Sequence, residues 1–209
     1  MNTSARPDLS TLPPPAAVQQ LHHYAYKARD AEETRHFYED ILGLPLYHII
    51  QSDYVPSTGE YCPYTHFFFR LKDGSFIAFF DIGDDEKALP SPNTPLWINH
   101  IAFRVDTVEE LENTKARLVA HGIEVLGVTD HHIFKSIYFF DPNGIRLELS
   151  AQLADEVQMA RESTTAHACL NEWTARKEQW RKERAEGKAA QPLKPQSNDR
   201  PEFVPDAAA

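Results

Sequence analysis

The strongest constraint on this chain is that it repeats itself. One stretch reads as a strand over 23–29, then a helix with Asp30 as N-cap and Phe37, Tyr38, Ile41 and Leu42 on one face, closed by Gly43. Strands over 44–52, 65–71 and 75–82 follow, the last two joined by a tight turn at Asp73-Gly74. The same order returns downstream: a strand over 100–105, a helix over 108–121 stopped by Gly122, and strands over 123–129, 136–140 and 145–149. The last two of these flank the turn Asp141-Pro142-Asn143-Gly144. A duplicated βαβββ order predicts an α+β fold of two tandem modules, 22–84 and 96–150, with a linker over 85–95 carrying Pro90, Pro92 and Pro95.

The flanks read differently. Eight of the 15 Pro lie outside the duplicated region, which marks 1–21 as a loose arm and 188–209 as a disordered tail. Residues 151–187 shift to Ala, Glu, Arg, Lys and Gln, with Leu170, Trp173 and Trp180 at helical spacing. A long C-terminal helix is expected there, covering its own domain or a twin subunit, so a homodimer or higher homo-oligomer is expected. The 31 acidic residues outnumber the 21 basic ones, a formal charge of -10 that argues against nucleic acid as a partner. No apolar run approaches the roughly 18 residues a membrane span needs. The first residues lack a secretory apolar region and only two Cys are present, so the expectation is a cytoplasmic protein without a disulfide framework.

Chemistry enters with the histidines, nine of the 10 lying between His22 and His132. Setting Gly74 against Gly144 places Ala78 against Glu148, Phe68 against Tyr138 and His66 against Ser136, while His23 and His100 open their respective modules. Strand alternation puts Glu148 and Arg146 on one face and Leu147 and Leu149 on the other. A carboxylate within an apolar strand is costly unless paired, hydrogen-bonded or bound to a metal. A salt bridge to Arg146 is the ordinary way to satisfy it.

The segments His23-Tyr-Ala-Tyr-Lys-Ala-Arg-Asp30 and Phe37-Tyr38-Glu-Asp-Ile-Leu42-Gly43 resemble the opening of vicinal-oxygen-chelate proteins. Asn99-His100-Ile-Ala-Phe-Arg-Val-Asp106 and the run from Ser136 through Tyr138, Asp141-Pro142-Asn-Gly144 to Glu148 are similar to that family's second module. The family includes glyoxalase I, extradiol dioxygenases, fosfomycin-resistance transferases and bleomycin-resistance proteins. The resemblance implies paired modules curving into an open barrel-like cleft, with His23, His100 and Glu148 as metal ligands. The fourth family position falls on Ala78, which cannot ligate. What remains matches the 2-His-1-carboxylate triad of non-haem iron oxygenases, with about three coordination sites left for substrate oxygens and dioxygen.

Extradiol dioxygenases resemble this chain in placing Ser-x-Tyr ten residues before the ligand Glu, which points to Tyr138 as a substrate-contacting hydroxyl. His131 and His132, in the loop before the Tyr138 strand, and His66, facing the cleft by strand parity, are the acid/base candidates. The His that dioxygenases place before the last strand of the first module is replaced here by Gly74-Ser75. His22, His36, His48, His121 and His167 carry no comparable argument. Inward-facing members of Phe67, Phe68, Phe69, Phe76, Phe79 and Phe80 favour an aromatic ligand, 55–63 is a candidate lid, and Cys62 within it is a bystander.

The function expected is a ring-cleaving dioxygenase, closest to single-domain extradiol-type enzymes, using Fe(II), a catechol-like or other oxygen-chelating small molecule and dioxygen. The alternatives are a Mn(II)- or Zn(II)-dependent lyase or transferase of the glyoxalase or fosfomycin-resistance type, and a drug-binding resistance protein without catalysis.

Overall fold

The computed structural model describes residues 17–188 apart from Pro90, Pro92 and Asn93. Most of the expected N-terminal arm and nearly all of the C-terminal tail, 1–16 and 189–209, lie outside the described residues. The first module runs β1 (His23–Lys27), α1 (Ala31–Arg35), a π-helical turn (His36–Ile41), β2 (Leu46–Tyr54), β3 (Tyr61–Arg70) and β4 (Phe76–Asp81). The second runs β5 (Ile101–Val105), α2 (Val108–Ala120), β6 (Leu126–Asp130), β7 (Phe134–Phe140) and β8 (Arg146–Gln152), and α3 (Glu156–Ala185) follows.

Each module folds its strands into its own four-stranded sheet, in the orders β1-β4-β3-β2 and β5-β8-β7-β6. β1 pairs parallel with β4 and β5 with β8, and the remaining pairs are antiparallel. Ala25 lies opposite Ala78 as Ala102 lies opposite Glu148, so the backbone register reproduces the equivalence read from the two glycine turns. Among the described residues the architecture is α+β, with two sheets and no closed barrel.

Both module helices start as their sequences demand. The Asp30 carboxylate accepts from the Glu33 N–H at 2.6 Å, and Thr107 and Glu110 form a reciprocal capping box. Gly43 and Gly122 follow the helices with φ of 76° and 74°, a left-handed turn that glycine enters without the Cβ penalty. The first helix departs from the expected α-helix halfway along, where Leu42 N–H bonds back to the Phe37 carbonyl. The wider turn presents Phe37, Tyr38 and Ile41 together to the interior.

Phe67, Phe69, Ile77 and Phe79 of the first sheet and Ile137, Phe139, Leu147 and Leu149 of the second form one core with Phe37, Tyr38, Ile41, Leu111 and Leu118. Each such side chain contributes about 1.5–3 kcal/mol by leaving water. The core is continuous between modules, Phe37 and Phe139 lying 6.3 Å apart by ring centroid. Polar links close the seam: Tyr38 OH donates to Asp141 Oδ2 at 3.0 Å, Arg29 N–H to Asn143 Oδ1 at 2.9 Å, and Arg117 to the Ile41 and Asp40 carbonyls at 2.7 Å. The modules therefore dock through their helices and turns. The opposite face of each sheet, with Phe68 and Ala78 on one and Glu148 on the other, stands outside that shared core.

Two boundaries need correction, and one of the two roles expected of the C-terminal helix falls away. β3 begins at Tyr61, so Tyr61, Cys62 and Pro63 belong to a strand and only 55–60 connects β2 to β3; the expected lid is the tip of a long hairpin. β8 continues to Gln152 and α3 starts only at Glu156, because Asp155 caps it through the Gln158 N–H. No α3 residue is buried, and Trp173 packs edge-on against Trp180 at 5.5 Å, so this helix does not fold back over its own sheets.

Candidate metal and substrate site

Glu148 sits near the middle of β8, on the face turned away from the core, and is 4% exposed. Its Oε1 accepts from Ser136 Oγ at 2.5 Å, Ser150 Oγ at 2.8 Å and Tyr138 OH at 3.1 Å. Its Oε2 lies 2.9 Å from His100 Nε2. Burial pushes the carboxyl up, but the hydroxyls and His100 outweigh that and hold it below the ordinary glutamate range. The expected Arg146 salt bridge is not what satisfies it. Arg146 instead lies over the Tyr138 ring, 4.4 Å from its centroid.

His100 is oriented from behind, its Nδ1 lying 2.9 Å from the Ile98 carbonyl just ahead of β5. A carbonyl only accepts, so Nδ1 carries a hydrogen and the Nε2 position is what faces Glu148. Nε2 and Oε2 are both electron-pair donors, and their close approach requires a proton or a cation between them. Two ligands at right angles with bonds of about 2.1 Å stand about 3.0 Å apart, so the pair has the spacing of two neighbouring vertices of a metal site.

Tyr138 extends this network outward, since His131 Nε2 lies 2.8 Å from its hydroxyl. With the phenol hydrogen committed to Glu148, His131 is the donor to Tyr138. Burial first, and the Glu148 charge second, raise the Tyr138 pKa and keep the phenol protonated. His132 is not part of the network: its N–H bonds to Asp130 in a turn where His132 takes a φ of 67°.

The remaining candidates occupy the other sheet. His23 stands with His22, His66 and Phe68, its ring centroid 6.2 Å from that of His66 and 5.8 Å from that of Phe68. His66 stacks on Phe80 at 3.7 Å with rings 5° from parallel, and burial lowers its pKa. Among the described residues, no three His, Cys, Asp or Glu side chains converge closely enough to hold a metal. The fold thus brings His100 and Glu148 together, joins His131 and Tyr138 to them, and leaves His23 and His66 on the first sheet.

Sequence reasoning overlooked Ser150 and gave His48 no role. Ser150 lies two residues beyond Glu148 and shares its strand face, a signal alternation could have exposed. His48 packs against Phe68 at 5.7 Å because β2 places it opposite that residue, a register invisible before the strands are paired.

The model of the Glyoxalase/Bleomycin resistance protein/Dioxygenase superfamily matches residues 20–149. The putative ring-cleaving dioxygenase MhqA of Bacillus subtilis is 40% identical over 53 residues, a quarter of this chain and 17% of that protein. The chain thus spans about a sixth of MhqA's length in that match. The metallothiol transferase FosB of Staphylococcus saprophyticus is 28% identical over 159 residues, covering 75% of this chain and 92% of that protein. Among solved structures, a glyoxylase/bleomycin resistance protein/dioxygenase domain from Frankia sp. superposes with a TM-score of 0.54 at 17% identity, covering 66% of this chain and all of that one. A glyoxalase/dioxygenase from Nostoc punctiforme gives 0.51 at 21% identity, covering 70% and 100%.

Proposed function

The chain belongs to the glyoxalase/bleomycin resistance protein/dioxygenase superfamily, and from that premise we propose that it is a metal-dependent, ring-cleaving dioxygenase of catechol-like diols. The observation that carries this reading is the approach of His100 Nε2 to Glu148 Oε2 at 2.9 Å, two donors spaced as metal ligands and backed by hydroxyls that fix the carboxylate. His23 is the third ligand, and because the fold holds it on the other sheet, we propose that a second copy supplies it. In a twofold dimer, the first sheet of one chain faces the second sheet of its partner, and each cleft receives one histidine from one chain and the His-Glu pair from the other. The exposed apolar residues Met159, Leu170 and Trp173 on α3 give such a dimer further surface to bury.

A ferrous ion in that triad would supply Lewis acidity and dioxygen chemistry, with Mn(II) or Zn(II) serving the same ligands in related reactions. The protein's own part is positional. His131 and Tyr138 form a hydrogen-bonded path from solvent to the carboxylate, suited to relaying a ligand's proton. The face of the first sheet carries Phe68, Phe76 and Phe80, and its cations are engaged, Lys27 with Asp84 at 2.6 Å and Arg70 over the Tyr47 ring at 4.8 Å. Such a wall suits an aromatic ring better than a phosphonate.

A Mn(II)- or Zn(II)-dependent thiol transferase is the second reading, supported by the match to FosB along nearly that protein's whole length. Metal analysis of protein purified without oxygen, followed by oxygen uptake with a catechol panel, separates the two. Bound iron with catechol-dependent oxygen consumption is expected; bound manganese or zinc with thiol consumption and no oxygen uptake would overturn the dioxygenase reading.

A further inference from the structure

His66 is held in a way that packing alone does not require. Its Nδ1 lies 2.9 Å from the Phe79 carbonyl, its ring is stacked on Phe80 at 3.7 Å, and the Phe68 ring lies 4.1 Å away by centroid. The carbonyl only accepts, so Nδ1 carries the hydrogen and Nε2 carries a lone pair. No hydrogen bond reaches Nε2 among the described residues, yet no buried side-chain nitrogen or oxygen there lacks a partner. Nε2 therefore reaches the surface, although His66 as a whole is only 7% exposed. Strand pairing fixes which surface: His66 lies opposite Phe80 and alternates with the core residues Phe67 and Phe69, so it shares the non-core face with Phe68 and Ala78.

We propose that His66 is a specificity-determining residue, its Nε2 accepting a hydrogen bond from a hydroxyl of an aromatic ligand lying against the Phe68 and Phe80 rings. The inference rests on the aromatic-diol reading and names the wall that would select such a ligand. Among the described residues the titratable groups acting on His66 are His23 and His48 rather than a carboxylate, and an imidazole locked in one tautomer by the Phe79 carbonyl itself offers an acceptor and no donor. It binds O–H groups and repels carboxylate or phosphonate oxygens, which need the reverse. The equivalent position in the second module is Ser136, which is fully buried and donates its hydrogen to Glu148, so an accessible acceptor at this position belongs to the first sheet alone.

The test is calorimetric titration of full-length, metal-free protein with catechol, with 1,2-dimethoxybenzene, which cannot donate, and with inorganic phosphate. His66→Phe keeps a ring to stack on Phe80 and deletes the acceptor; His66→Gln restores an acceptor in its amide oxygen. We expect the parent to prefer catechol to both other probes. His66→Phe should bind catechol about 10-fold more weakly, the worth of one net hydrogen bond, with dimethoxybenzene within twofold of the parent and His66→Gln recovering to within about threefold. Equal catechol affinity in parent and His66→Phe, equal losses for both aromatic probes, or a parent that ignores catechol would each overturn the proposal. Because no metal is present, these outcomes are independent of whether His23, His100 and Glu148 bind one, which metal analysis of their variants decides separately.

Discussion

The non-core faces of the two sheets share a backbone plan and oppose each other in chemistry. Where the first sheet has Ala78, Phe68, Phe80 and His66, the second has Glu148, Tyr138, Ser150 and Ser136 at the same register. Three hydroxyls on the second sheet converge on one carboxylate oxygen, while the first sheet offers aromatic rings and an imidazole tied to the backbone. Duplication thus settles where side chains point, and four substitutions per face decide whether the face holds a charge or a ring. In the proposed dimer, a cleft made from one face of each kind would have a polar wall for a metal and an apolar wall for the ligand's body.

The sharpest way to break this comparison is to ask whether the two faces meet across chains. His23→Ala and Glu148→Ala should each lose metal and roughly 10³-fold or more in activity, at least the cost of deleting one oxyanion donor. Mixed and allowed to reassort, they should recover about a quarter of the parental activity, because half the dimers are mixed and each has one intact site. Activity that stays at the level of either variant alone would place His23 with the pair of its own chain or outside the site.

A second test transplants the carboxylate. Ala78 is fully buried opposite Ala25 and beside Phe68, with no hydroxyl at the positions that serve Glu148. Ala78→Glu should therefore destabilise the fold by about 3 kcal/mol or more and impair activity, since nothing satisfies the new charge. Glu148→Ala should cost less stability, because Ser136 and Ser150 hydroxyls, 2.9 Å apart, can bond to each other. Urea unfolding of the two variants checks the order, and a more stable Ala78→Glu would show that the first face is more accommodating than its rings suggest.

Tyr138→Phe makes the second face more like the first at one position while leaving Ser136 and Ser150 on the carboxylate. Metal content should hold, and kcat should fall by roughly 10- to 1,000-fold, the range for one positioned proton-transfer or hydrogen-bonding group. His131→Ala should follow it in the same direction, since His131 reaches the site only through that phenol. Unchanged turnover in Tyr138→Phe would reduce the network to a structural brace.

Local signals made most of this legible in the sequence. The Asp30 cap, the Gly43 and Gly122 stops and the Gly74 and Gly144 turns each act within a few residues, and they located the two modules and the equivalence of Ala78 with Glu148. The extra hydrogen-bonded residue in the first helix left no such mark, because the π-turn follows from how Phe37, Tyr38 and Ile41 pack rather than from their propensities. Strand ends slipped for a similar reason: Tyr61–Pro63 looks like a loop until β2 pairs with it. The separation of His23 from His100 depends on helix-to-turn docking through Tyr38, Asp141 and Asn143, contacts spanning more than a hundred residues that no local pattern encodes.

That docking also distinguishes the two glycine turns, and supplies the mildest test. Asp73 in the first turn is exposed, and the Ser75 hydroxyl and N–H hold its carboxyl below the ordinary range. Asp141 in the second turn is 5% exposed, and burial raises it to about 6 despite bonds from Ile145 N–H, Tyr38 and Asn143. Between about pH 4 and pH 6 the unfolded chain releases this proton while the folded chain keeps it, so Asp141 makes the fold less stable as pH rises through that window. Its full cost is present above pH 6 and absent below pH 4, with an upper limit of about 3 kcal/mol. Asp141→Asn keeps an acceptor for the Ile145 N–H and cannot ionise, so its stability should fall less than the parent's between pH 4 and pH 6.5. Asp73→Asn should instead leave the slope in this window nearly unchanged, because the stability Asp73 contributes is already present above about pH 4 and is lost only at lower pH. Urea midpoints across that range decide it, and parallel pH profiles for the parent and Asp141→Asn would mean that Asp141 is already ionised in the folded protein at pH 4.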